Sequence, residues 1–264
     1  MTRRSGQKLV ADPIAALSKG SFLFRQLEPE DLHPHLNPDQ LIIEKLYSNR
    51  PIHTAFRPHA WLDYLYVIMD GGPIIMRSTP LDRVIAMTYP AGCFGMRSLP
   101  VGFGTVAQGF PSLVEAYKTT DVIKVPIVAV KALYAANPTF QQRYDLLFEL
   151  REKFQYHLLN CSTYPPQAVA SLLRALVYQE RSLGNQPGST GEYHFDLPID
   201  LIARACQLNH RTVEQVLKGL TKAGYLKASK SVDHGVDEVH IIDPEGLKEV
   251  YGATRDKVSW WPLK

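Results

Sequence analysis

The chain has 264 residues, 45% of them hydrophobic and 21% charged, with a net charge of +3. That is enough length and apolar content for one large domain or two ordinary ones, and too little net charge to argue for nucleic acid by itself. Three lone cysteines, Cys93, Cys161 and Cys206, exclude a CxxC zinc site and argue against a disulfide framework.

Along the chain, residues 1–40 carry prolines at 13, 29, 34 and 38 that break up any long helix. The opening MTRRSGQKLVADPIAALSKG lacks the apolar stretch of a signal peptide and reads as a loose arm or a short helix. From Leu41 to about Pro126 short apolar runs alternate with turn signals: LIIEKLY, WLDYLYVIMD, PIIMRS, RVIAMTYPAG and VEAYKTTDVIKVP. Strands at this spacing indicate a β sandwich or barrel. In YLYVIMD both alternating sets are apolar, so this strand is expected to be buried on both faces or to cover a pocket. Gly71-Gly72 suits a tight turn, because glycine tolerates positive φ.

After Pro126 the period becomes helical. Phe140, Tyr144, Leu147, Leu150, Phe154, Leu158 and Cys161 recur at steps of three and four. Such a stripe packs onto its own β domain or pairs with a second copy. A helix of about 23 residues reaches about 35 Å, which favours pairing. Pro165-Pro166 end it, AVASLLRALVYQE forms a further helix, and SLGNQPGSTGE (182–192) is a loop.

DLPIDLIARACQLNHRTVEQVLKGLTKAGYL then parses as two helices and a turn. Pro198 suits a first helical position. Ile199, Ile202 and Cys206 line one face, and Ala203 and Val213 sit where crossing helices touch. Asn209 is an N-cap for the second helix, Val213, Val216, Leu217 and Leu220 form its buried stripe, and Gly224 stops it. Glycine is usual where Gln207 stands, so Gln207 is expected to be left-handed. The outward face carries His210, Arg211, Glu214, Gln215 and Lys218, groups suited to base edges, with Lys218 and Lys222 placed for phosphates. Between Arg204 and Lys230 six basic residues stand against one acid, Glu214, a local +5. A hairpin with His234-Gly235 near its tip and a short helix follow, completing a winged helix.

The order of these parts resembles the CRP/FNR superfamily of bacterial transcription regulators over roughly residues 41–250. The segments that carry it are YLYVIMDGG, PAGCFG, AYKTTDVIKVP, LIARACQLNHRTVEQVLKGLTKAGYL and VHIIDPEGL. The resemblance implies an α+β fold: an antiparallel β-roll of cyclic-nucleotide-binding type, a long central dimerisation helix, and a C-terminal winged helix-turn-helix. The expected divisions are an N-terminal arm or short helices at 1–40, a β-roll at 41–136, a dimerisation helix at 137–162 and a DNA-binding domain at 165–264. It also implies a homodimer on a two-fold symmetric DNA site, with RNA polymerase or another regulatory protein as a further partner. DNA contacts fall on Arg204, Asn209, His210, Arg211, Thr212, Glu214, Gln215, Lys218 and Lys222.

This sequence departs from the family in two places. The common recognition helix begins Ser-Arg-Glu-Thr-Val, whereas here it reads Asn209-His210-Arg211-Thr212-Val213 with Gln215 in the position of the family's following Arg. A Glu-to-Arg exchange inverts donor and acceptor, so a different half-site is expected. Cyclic-nucleotide members carry Phe-Gly-Glu and a later Arg; here Phe94-Gly95 is followed by Met96, and Phe110-Pro111 occupies the Arg position and its neighbour. Without a guanidinium an anion would be desolvated unpaired, so cAMP is not expected. Phe94, Met96, Arg97 and Phe110 are the candidate residues for another effector. No cysteine precedes Cys93, which excludes the family's N-terminal iron–sulfur site, and His53 and His59 do not make a haem or cupin metal set. No cofactor, no catalytic activity and no membrane partner are expected, since no apolar run reaches the about 18–20 residues of a span. The expected location is the cytoplasm. The competing reading is an adaptor that acts through a protein partner or a different messenger rather than through DNA.

Overall fold

The computed structural model describes residues 12–48, 50–54, 63–78, 83–96, 113–159, 163–227, 238–252, 258 and 260–261. By its contacts the chain forms two compact units, residues 1–75 with 87–149, and residues 76–86 with 150–264. Among the described residues no helix is long and apolar enough to cross a membrane.

Prolines punctuate the helices by starting them. Pro13, Pro29, Pro38, Pro138 and Pro165 each open a helical segment, where the missing N–H has no intrahelical partner to lose. In the first unit, α1 (Pro13–Gly20) is capped by Asp12, whose Oδ1 accepts from the Ile14 and Ala15 amides at 2.9 and 3.1 Å. α2 (Pro29–Leu32) and a 3-10 turn (Pro38–Gln40) follow. Of the two readings for the start of the chain, residues 12–40 take the short-helix one, with Ile14, Leu17, Leu23, Phe24, Leu27, Leu32 and Leu36 all buried. The apolar spacing between the prolines is too short to look periodic, yet it supplies core.

Among the described residues ten strands form three sheets. They are β1 (Ile42–Leu46), β2 (Pro51–Thr54), β3 (Tyr64–Asp70), β4 (Ile74–Ser78), β5 (Arg83–Thr88), β6 (Cys93–Phe94), β7 (Leu113–Ala116), β8 (Thr120–Pro126), β9 (Tyr193–Asp196) and β10 (Glu238–Ile241). One four-stranded sheet runs β1-β8-β3-β6 and the other β2-β7-β4-β5. VEAYKTTDVIKVP, a single texture in sequence, divides between them, with β7 in one sheet and β8 in the other. β3 carries four consecutive buried residues, Leu65 to Ile68, and is covered on both faces as its alternation indicated. The turn after it is glycine for a reason. Gly71 has φ +87 and a Cβ there would collide with the Thr119 carbonyl. Buried Thr120 locks the turn, its Oγ1 accepting from the Gly72 amide at 2.9 Å and donating to the Lys118 carbonyl at 2.8 Å.

α3 (Ile127–Ala136) leads into α4 (Pro138–Leu159), where the Asn137 Oδ1 accepts from the Phe140 amide at 2.9 Å. The stripe assigned to pairing between copies is already buried within the single chain. Phe140, Tyr144, Leu147, Leu150, Phe154 and Leu158 are all at most 7% exposed. Phe140 meets Phe24 of the N-terminal segment with ring centroids 5.3 Å apart. Helical period shows that a face is buried, not what buries it.

In the second unit, α5 (Pro165–Ser182) is the scaffold on which α6 (Ile199–Cys206), α7 (His210–Lys222) and α8 (Gly246–Gly252) all pack. β10 pairs antiparallel with β9, and Leu226 adds a single bridge to Ile241. Among the described residues β10 thus has a partner from before the two-helix element as well as the start of the expected hairpin, where the Lys227 amide donates to the His240 carbonyl at 3.0 Å. The tip His234-Gly235 lies outside the described residues.

Candidate nucleic-acid interface

The two-helix element follows its sequence closely. Pro198 is the N-cap of α6 rather than its first residue, a difference of one position. Leu201, Ile202, Ala203, Ala205 and Cys206 are buried, while Ile199 is only half-buried. Gln207 ends α6 in the left-handed region, φ 54 and ψ 43. Its side chain is exposed, so nothing but the backbone requires that conformation. The Asn209 Oδ1 then accepts from the Thr212 amide at 2.8 Å, satisfying one of the amides a helix start leaves open.

α7 buries Val213, Val216, Leu217, Gly219 and Leu220. Gly219 lies on the buried side, where a Cβ would collide with the Trp260 ring. Gly224 follows the helix with φ +83. His210, Arg211, Glu214, Lys218 and Lys222 are exposed, and Thr212 and Gln215 partly so. Arg211, Gln215, Lys218 and Lys222 are spaced four, three and four apart, which is one helical row. The first turn holds no acid. The positive end of the helix dipole is therefore not neutralised within its own helix, which suits an approaching phosphate.

The local +5 of the sequence is smaller in space. Arg204 lies 3.7 Å from Asp200 on its own helix. Lys227 bonds both oxygens of Glu192 at 3.0 and 3.2 Å. Lys230 lies outside the described residues. Arg211, Lys218 and Lys222 remain, exposed and without an ion pair among the described residues. Glu192 could not be weighed in that count because it precedes the window.

The expected effector residues divide differently. Phe94 and Met96 are 1% and 4% exposed, and Phe94 stacks on Tyr66 with centroids 4.5 Å apart. They are core residues of β6 and its exit. Arg97 and Phe110 lie outside the described residues, as do His59 and Cys161. Cys93 and Cys206 are buried. One group of donors was not anticipated: Glu192, His194 and His240 converge across β9 and β10. Glu-x-His at 192–194 was legible as two residues on one strand face, but the partnership with His240 needs the pairing of strands distant in sequence.

No family model matches the sequence, and no curated protein matches it. Solved structures match it through their folds. FixK2 from Bradyrhizobium japonicum superposes with a TM-score of 0.58 at 15% identity, covering 80% of this chain and 96% of that one. A CooA mutant from Carboxydothermus hydrogenoformans gives 0.54 at 13% identity, covering 81% and 88%. A protein from Thermus thermophilus described as a CRP-family transcriptional regulator gives 0.50 at 15% identity, covering 79% and 96%. The chain has the α+β fold of this class, the CRP/FNR fold, along most of its length.

Proposed function

We propose that this chain is a dimeric, sequence-specific DNA-binding transcription regulator of CRP/FNR type that is not controlled by cAMP. The observation that carries the reading is α7 itself. It is capped by Asn209, set off from α6 by the left-handed Gln207, and presents Arg211, Gln215, Lys218 and Lys222 in one exposed row.

In this reading α7 enters the major groove. Its first turn, His210, Arg211 and Thr212, meets base edges, with Arg211 suited to guanine and Gln215 to adenine. Glu214 is suited to the cytosine amino group. Lys218 and Lys222, nearer the C-terminal end, meet phosphates and set orientation. Asn209 holds the first turn in place, and Arg204 remains a weaker candidate because Asp200 shares its charge. In the β-roll, buried Met96 stands where the family's cyclic-nucleotide members carry an acid, and in sequence Phe110 stands where they carry an Arg. That supports a regulator with another effector or none.

The test is selection of bound fragments from sheared genomic DNA by purified protein, without added ligand, at about 150 mM salt. A two-fold symmetric motif supports the whole reading. A non-palindromic motif removes the dimer. Recovery at background, with and without cAMP, rejects DNA binding as the unliganded activity and favours the adaptor.

A further inference from the structure

The second concentration of chemistry in the C-terminal unit lies where β9 meets β10. Glu192 immediately precedes β9 and His194 is two residues further on, so the strand period places both on one face. His240 is the direct cross-strand partner of His194, and the two rings lie 4.1 Å apart. The Glu192 side chain is only 10% exposed. Its Oε2 is 3.4 Å from His194 Nε2 and 3.8 Å from His240 Nδ1. One donor atom from each of the three residues lies within 4.8 Å of the others.

His240 supplies an independent reason to look for a cation. Its Nε2 lies 3.3 Å from the Glu238 Oε2, and its Nδ1 is buried without a hydrogen-bond partner. With Nε2–H donating to Glu238, Nδ1 carries a lone pair that faces the Glu192 carboxylate. In that tautomer Nδ1 and Glu192 are two acceptors facing one another, and a cation between them would satisfy both. A carboxylate on the outer nitrogen of an imidazole is also the arrangement that orients histidine toward a metal.

We propose that Glu192, His194 and His240 form a binding site for a divalent first-row metal ion of zinc type, with Glu238 orienting His240 and water completing the coordination. Bonds of about 2.0–2.1 Å in a tetrahedron place donors about 3.3 Å apart. The separations of 3.4 and 3.8 Å are close to that edge. Two imidazoles and one carboxylate suit zinc and disfavour magnesium and calcium, which take oxygen donors. Lys227 is the competitor. Its ammonium bonds both Glu192 oxygens, so in the metal-free chain it supplies the charge a metal would bring. A bound ion ties β9 to β10, and this role does not depend on DNA binding.

The test uses tag-free, chelator-treated full-length protein, titrated with Zn²⁺ against a chromophoric chelator. One Zn²⁺ per chain is expected, with Mg²⁺ failing to compete. His194→Ala and His240→Ala should each weaken binding at least about tenfold. Lys227→Met should tighten it, an outcome that damage to the fold cannot mimic. His194 is half exposed, so its replacement leaves the sheet intact, which circular dichroism checks. The absence of stoichiometric binding, binding retained when both histidines are replaced, or weaker binding by Lys227→Met would each overturn the site.

Discussion

Replacing Lys218 with alanine removes one exposed cation per chain from the middle of the α7 row. Arg211 to Lys222 spans eleven residues, about 16 Å along the helix axis. Lys218 sits in its second half, beyond the turn expected to meet bases. If it neutralises one phosphate, a dimer loses two contacts. Each contact contributes about 0.9 to the slope of log affinity against log salt, so the slope flattens by about 1.8. Over a fourfold rise, from about 50 to about 200 mM, wild type should lose roughly tenfold more affinity than the variant. Fluorescence anisotropy on the selected site and on unrelated DNA, at several salt concentrations, measures this. Loss should be similar on both, because phosphate contacts carry no sequence information. Lys248→Ala on α8, also exposed, serves as the control. An unchanged slope for Lys218→Ala, or an equal change for Lys248→Ala, refutes the placement of α7 on the phosphate backbone.

Arg211→Ala should differ from Lys218→Ala by relaxing preference at one base position, at about 1–3 kcal/mol, read by repeating the fragment selection. Asn209→Ala removes the α7 cap and should cost about 1 kcal/mol in urea unfolding, whereas Gln207→Gly relieves the left-handed strain and should leave stability equal or raised by up to about 1 kcal/mol. A fall in Gln207→Gly would mean the turn is not what its dihedrals indicate. Phe154→Ala should destabilise by about 3–5 kcal/mol at every protein concentration, since Phe154 is buried within its own chain beside a groove of about 320 Å³ that partial collapse can fill. Dissociation of a dimer without loss of stability would restore the pairing role of that stripe. Burial raises the Glu180 carboxyl above its ordinary range, against the Asn185 amide that bonds it at 2.7 Å. The folded state then holds this proton more tightly than the unfolded one. Its contribution is therefore present below the ordinary glutamate range and lost as pH rises through the raised value. Glu180→Gln should gain stability relative to wild type as pH increases across that window, measured by thermal melts.

Much of α6 and α7 was legible because helices are local. A cap, a three-four stripe and a stop all lie within a few residues, and the left-handed Gln207 followed from where a helix-turn-helix bends. The β-roll was legible as a texture, but its pairings were not. β2 is four residues with a proline at its head, and β9 is four residues whose partner lies beyond the whole helix-turn-helix. The convergence of Glu192, His194 and His240 was hidden for that reason. The α4 stripe was read correctly as buried, but the contact of Phe140 with Phe24 was not foreseen, because residues 12–40 supply core without any period of their own. The charge count at 204–230 overestimated the open field because an acid outside the window takes Lys227.

The collision that keeps position 219 a glycine has an optical consequence. Trp260 lies against α7, and Trp261 stands edge-on to it with centroids 6.4 Å apart. Two of the three tryptophans in the chain therefore sit within reach of one helix. Intrinsic emission from the native protein becomes a label-free gauge of the α7 environment, sensitive to its displacement and to the arrival of anything that quenches indole at its back.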